Sequence, residues 1–219
     1  MSVGPGKRTL QLLLCLASLG ALSCATPRVV LTEQTRAFTP DDYAAELSQW
    51  TREGEQYRDL ESRLFLKGTF LSWSFRQAQV VYREKNERLP RNDVIELMAH
   101  ERAASRDSHE FFLAAHTHEW AWNRLERTGE DAMWRIRLIN DKGESLAPTR
   151  IERIGIRNAR YTGLYPYYGQ FYVGYRVRFP RLATSGADIL APGTRRFLVR
   201  VSGPQAAVDL VWEAAVNHD

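Results

Sequence analysis

The sequence predicts an α+β fold: an antiparallel β-sandwich, immunoglobulin-like in outline, with an N-terminal helix and a helical hairpin inserted after the first strand. Three observations lead there. Beyond Ser108 several short segments alternate apolar and polar residues with a period of two, as where Val208, Leu210 and Trp212 face one way and Asp209 and Glu213 the other. Gly, Pro and Asn-Asp turns separate them, a pattern of sandwiches and barrels. Between Ser72 and Arg106 the apolar spacing is instead helical, broken once at Leu89-Pro90.

In chain order, Ala25 to Phe38 carries Pro27, several Thr and no sustained period, and reads as a tether. Thr39-Pro40-Asp41-Asp42 has the makings of a helix start: a capping Thr, Pro at the first helical position and acids in the first turn. Tyr43, Leu47 and Trp50 then recur at helical spacing, with Gly54 near the expected stop. From Leu60 to Leu71 the alternation of Leu60, Ser62, Leu64, Leu66 and Gly68 with Glu61, Arg63, Phe65, Lys67 and Thr69 predicts a strand. Ser72 or Ser74 is placed to cap a helix to about Asn86, and Asn92 a second to about Arg106, with Val94, Ile95, Leu97 and Met98 on its buried side. Pro90 disfavours a helical residue before it and divides the pair. Glu110 to Trp122 predicts a long strand or a bent pair, and Met133 to Ile139 a strand ending in the Asn140-Asp141-Lys142-Gly143 turn. Further strands are expected at Arg150–Ile156, Phe171–Phe179, Arg196–Val201 and Ala207–Glu213.

The N-terminus has the three parts of an export signal. Lys7 and Arg8 precede an apolar run from Leu10 to Leu22, which closes on small residues before Cys24. The run is shorter than the roughly 20 residues a membrane-spanning helix needs. The stretch Ala21-Leu22-Ser23-Cys24 resembles the lipobox of bacterial lipoproteins. There Cys24 would be the acylated first residue of the mature chain, carrying palmitate-type chains. That family usually has Leu three residues before the cysteine, where Ala21 stands here. Ala21 and Ser23 equally fit the small-x-small site of ordinary signal cleavage, which would release the chain. By the same resemblance, Ala25 after the lipidated cysteine gives no inner-membrane retention signal and points to the outer membrane.

This divides the chain into a signal peptide (1–23), a tether with lipidated Cys24 (24–38) and one globular domain (39–219). Cys15 would be discarded with the signal, leaving Cys24 and no internal disulfide. Removing residues 1–23 leaves 28 basic against 26 acidic residues, a net +2, and no basic block of the kind a nucleic-acid binder shows.

Motifs of catalysis are lacking: there is no Gly-x-Ser-x-Gly elbow, phosphate-binding Gly loop or Cys-x-x-Cys pair, and no cofactor is expected. Four histidines fall between His100 and His118. His116 and His118 would project from one face of a strand, so a zinc site with His109 is the enzymatic alternative, a zinc-dependent hydrolase, although none forms His-Glu-x-x-His. Solvent-facing strand and loop positions are the simpler expectation. A tyrosine-rich stretch offers Tyr165, Tyr167 and Tyr168 on a loop as a recognition patch, for instance for cell-wall glycan. Phe171, Val173, Tyr175, Val177 and Phe179 share one strand face and belong to the core. Arg135, Arg137, Arg176, Arg178, Arg196 and Arg200 are expected to face outward as a solvated row that Asp209 and Glu213 neutralise across strands. The expectation is a membrane-anchored lipoprotein of the bacterial cell envelope, on the periplasmic side. Its domain would bind, assemble or scaffold another envelope protein rather than catalyse.

Overall fold

A computed structural model describes residues 27–33, 36–59 and 61–215. The signal segment, Cys24 and Leu60 lie outside the described residues. Two antiparallel sheets pack face to face, and a helical layer covers part of the outer face of the larger one, giving the expected sandwich-like α+β architecture.

The chain enters along the second sheet. Val29 is fully buried and bridges Ala214, its amide donating to Glu213 and its carbonyl accepting from Ala215. The stretch read as a tether is therefore docked at this point. Thr39 then opens a 3₁₀ turn (Pro40–Asp42), its amide and hydroxyl both donating to the Asp42 carboxylate at 2.7 Å. Helix α1 (Tyr43–Trp50) follows, burying Tyr43, Glu46 and Trp50 at helical spacing.

The helix ends before Gly54, because Thr51–Arg58 is a strand, β1, that the alternation rule misses. Its two inward positions explain why. Arg52 stands at one, 7 % exposed, its guanidinium donating to the carbonyls of Val211 (3.0 Å), Gln49 (2.8 Å) and Pro27 (2.6 Å). Gly54 stands at the other, where a Cβ would lie 2.7 Å from Val208 Cγ1. Neither residue is apolar, so period two is present in burial and absent in hydropathy. The hairpin consequently follows the second strand, β2 (Glu61–Phe70), rather than the first.

Ser72 caps helix α2 (Trp73–Glu87), accepting from the Phe75 amide at 3.2 Å, and Arg88 ends it in the left-handed region at φ 53°. Helix α3 (Arg91–Asp107) begins directly after Pro90, so the extended residue ahead of it is that proline and not Asn92. Next come β3 (Ser108–Thr117), a 3₁₀ turn (Trp120–Trp122) in place of a longer strand, β4 (Arg135–Asn140), the two-residue β5 (Ser145–Leu146) and β6 (Arg150–Gly155). The Asn140 side chain builds the expected turn, its Oδ1 accepting from the amides of Lys142 and Glu144. Helix α4 (Ala159–Leu164) leads into the tyrosine-rich stretch; its cap is Asn158, which accepts from the Tyr161 amide. Strands β7 (Val173–Pro180), β8 (Arg196–Ser202) and β9 (Ala207–Glu213) complete the chain.

One sheet runs β1-β2-β3-β7-β6 and the other β5-β4-β8-β9. Their common core is aromatic: Phe70 stacks on Phe111 at 4.9 Å, Phe197 lies parallel to Trp212 at 5.2 Å, and Phe70 meets Phe197 edge-on at 5.5 Å. The Trp212 indole N–H reaches the Trp50 carbonyl at 2.9 Å, so its polar atom is satisfied where the ring is buried. The centre of β3 is buried on both faces, since the second sheet packs on one side and the helices on the other. That double burial gives Phe111-Phe112-Leu113-Ala114-Ala115 its unbroken apolar run, usual for a strand covered twice.

Candidate functional site

The outer face of the five-stranded sheet is the surface with the most to offer. On β3 the even-numbered residues face it. Phe112, at the middle of the strand, lies beneath the helical layer and stacks on Tyr165 at 4.0 Å. His116 is four residues on, about 13 Å along the strand, and its surroundings are open. There the rings form a row across three strands and the start of a fourth. Tyr57 of β1 meets Phe65 of β2 edge-on at 5.5 Å, Phe65 stacks on His116 of β3 at 5.9 Å, and His116 lies 6.5 Å from Phe171 and 6.1 Å from Tyr172, just before β7. Tyr57 is 49 % exposed and Phe171 62 % exposed.

Pairing builds the row. Phe65 and His116 are direct partners in the β2–β3 register, and aromatic cross-strand pairs are among the contacts that stabilise sheets. His116 Nδ1 is 3.0 Å from the Phe171 carbonyl, which can only accept, so this nitrogen carries the proton and Nε2 is left as the neutral ring's acceptor. The bond also fixes the backbone that presents Phe171. A depression of about 480 Å³ adjoins the row, lined by Glu53, Glu55, Phe65, Lys67 and Tyr172 among others, and a 2.7 Å ion pair between Lys67 and Glu53 closes its rim. Exposed rings with a charged border are the composition of a recognition surface: apolar contact in the middle and polar groups around it.

The zinc alternative is not supported by the geometry. His109 and His116 are seven residues apart on β3, an odd separation that sends them to opposite faces, and His118 lies beyond the strand's end. Among the described residues no three His, Cys, Asp or Glu side chains come together as a metal ion would require. His109 is buried instead, its Nε2 donating to Asp188 at 2.7 Å, and burial holds its pKa below the ordinary histidine value despite that carboxylate. Burial pushes the Asp188 carboxyl up, but the bonds from His109, the Leu190 amide and Arg181 outweigh it and hold the group at about 2.

Tyr165, Tyr167 and Tyr168 do not form an exposed patch. Tyr165 and Tyr168 are 2 % and 1 % exposed, and the hydroxyls of Tyr167 and the buried Thr69 share a hydrogen bond at 2.6 Å. Helix α4 causes this by turning the loop back onto the sheet, where the three rings surround Phe112. Phe171, assigned from its spacing to the core, is instead the most exposed ring of the row, because it stands two residues ahead of β7, outside the sandwich.

The arginine row divides in two. Arg135, Arg137, Arg196 and Arg200 line the solvent face of the four-stranded sheet, where Arg200 holds Asp209 at 2.7 and 2.6 Å and Arg196 approaches Glu213 at 3.4 Å. Arg176 and Arg178 belong to the other sheet and turn under the helices. There Glu110 of β3, wholly buried, accepts from Arg76 of α2 (2.7 Å), Arg176 (2.7 Å) and Arg178 (2.6 Å), while Arg76 also bonds Glu101 of α3. Burial raises the Glu110 pKa, but the Arg76 and Arg176 charges outweigh it and bring the group down to about 2. This cluster joins helices to sheet and is positioned for structure.

Among the described residues no helix is long and apolar enough to cross a membrane. Compared with protein-family models, curated proteins and solved structures, the chain finds no match in any of the three.

Proposed function

We propose that this is a lipid-anchored protein of the bacterial cell envelope whose domain works by binding, holding another envelope protein against the aromatic row Tyr57, Phe65, His116, Phe171 and Tyr172. The anchor rests on the lipobox-like Ala21-Leu22-Ser23-Cys24. The observation that carries the binding role is the exposure of Tyr57 and Phe171 at the two ends of a continuous line of rings. Large rings left in water forgo the burial that places their kind in cores. A line of them on a rigid sheet is pre-ordered for a partner, and aromatic side chains are the usual energetic anchors of interfaces.

A photo-crosslinking amino acid placed at Phe171 in living cells tests this reading, with the same label at Arg137 on the far sheet as control. One dominant protein adduct at position 171, absent at 137 and weakened by Cys24→Ala, is the expected result. A second reading, stacking of cell-wall sugar rings on the same row, would replace it if no protein adduct formed and Phe171→Ala abolished sedimentation with sacculi.

A further inference from the structure

On the same outer face, away from the aromatic row, the helical layer does not close completely over the sheet. A cleft of about 230 Å³ remains between α2, α3 and α4, floored by Phe112 and Arg176. This is the space of about eight water molecules and lies below the range of drug-sized pockets. Its chemistry is one-sided. Arg83 of α2, Arg160 of α4 and Arg176 of β7 all line it, against a single lining carboxylate, Glu101 of α3. Of the carboxylates nearby, Glu87 is held by Arg83 at 2.8 Å with Arg160 at 3.7 Å, Glu101 is bound to Arg76, and Glu110 to Arg76, Arg176 and Arg178. Five guanidinium groups thus surround three carboxylates, leaving two positive charges in excess.

The other wall is aromatic. Tyr161, Phe112 and Tyr165 lie nearly parallel, with Tyr161 5.2 Å from Phe112 and inclined to it by 23°. Tyr161 is the least buried of the three, and Leu97 and Leu164 complete the apolar side. We infer that this cleft binds a small planar organic anion, an aryl or heteroaryl phosphate or carboxylate. Its anionic oxygens would lie on the guanidinium groups of Arg160 and Arg176 that line the cleft, and its ring against Tyr161 and the two leucines. Guanidinium suits both halves of such a ligand, since it pairs with oxyanions in a fork and stacks on flat rings. This site is independent of the aromatic row and of the anchor.

Calorimetric titration of the full-length protein with phenyl phosphate, inorganic phosphate and phenol tests it. Phenyl phosphate is expected to bind at least tenfold more tightly than either fragment of itself, and Arg160→Glu, at a 60 % exposed side chain, to weaken it at least tenfold. Arg200→Glu, on the opposite sheet, is expected to leave it unchanged. Equal affinity for phosphate and phenyl phosphate, indifference to Arg160→Glu in a folded variant, or no saturation at millimolar phenyl phosphate would each overturn the inference.

Discussion

Arg76 of α2 and Glu110 of β3 face one another at 2.7 Å with side chains 1 % and 0 % exposed, a buried ion pair that fastens the helical layer to the sheet. Its partners are complete on the Arg76 side: Nε donates to the Leu71 carbonyl at 2.8 Å and the other terminal nitrogen to Glu101. Removing one member leaves charges buried without compensation. Arg76→Met should therefore cost about 3–5 kcal/mol of stability. Arg76→Met combined with Glu110→Leu should cost less than the two single changes added together, because each single change already loses the contact between them. Urea denaturation of the four proteins measures both, and strictly additive losses would contradict the coupling.

Acid should unfold the protein through the same cluster, and the sign follows from the two states. Glu110 has a folded pKa of about 2 against an ordinary 4.5, so the unfolded chain binds its proton first as pH falls. The resulting stabilisation is fully present above about pH 4.5 and is lost toward pH 2, on the order of 3 kcal/mol in all. His109 acts in the same direction at higher pH. Its folded pKa lies below the ordinary 6.5, so it contributes nothing above that value and becomes unfavourable as pH falls below it. The urea midpoint should thus decline in two limbs, with His109→Asn removing the upper and Glu110→Gln shrinking the lower, to which Asp188 also contributes. An unchanged pH profile in Glu110→Gln would mean that another carboxylate governs acid unfolding.

The sandwich was legible wherever hydropathy followed the pleat, as in β4, β8 and β9, each facing the core on one side and water on the other. It was illegible where burial and hydropathy part company. At β1 the inward residues are Arg52, satisfied by four backbone carbonyls, and Gly54, which makes room for Val208, so an interior strand face carries no apolar residue. At Arg176 and Arg178 alternation placed two charges correctly on the face opposite the core, but that face is roofed by α2 and α3, and a single sequence does not announce the roof. The aromatic row was missed for a related reason. Tyr57, Phe65, His116 and Phe171 lie far apart in the chain, and only strand pairing brings them together. Phe65 shares its strand face with the polar Arg63 and Lys67 and so could have been marked as outward-facing, but nothing local ties it to Tyr57 or His116. The tyrosines at 165, 167 and 168 were conspicuous because they are close in sequence, which says nothing of exposure.

Tyr165 and Phe171 therefore make the sharpest contrast between an aromatic residue that holds the fold and one that serves its surface. Tyr165 is enclosed between Phe112, at 4.0 Å, and Phe75, and its hydroxyl receives a 3.1 Å bond from the Gln79 amide. Burial holds that hydroxyl's pKa well above the ordinary tyrosine value. Truncation to Ala would open a cavity beneath α4 and orphan Gln79, and should cost about 3–5 kcal/mol, as large-to-small changes of buried rings do. Phe171 touches little beyond the edge of His116 and is more than half exposed, so Phe171→Ala should change stability by less than about 0.5 kcal/mol. Its effect belongs instead to partner capture, which should fall while the melting curve stays in place. Parallel thermal melts and in-cell crosslinking of the two variants decide the matter. Were Phe171→Ala to destabilise the domain as strongly as Tyr165→Ala, the row would be an outlying piece of core, and its exposure would lose its functional meaning.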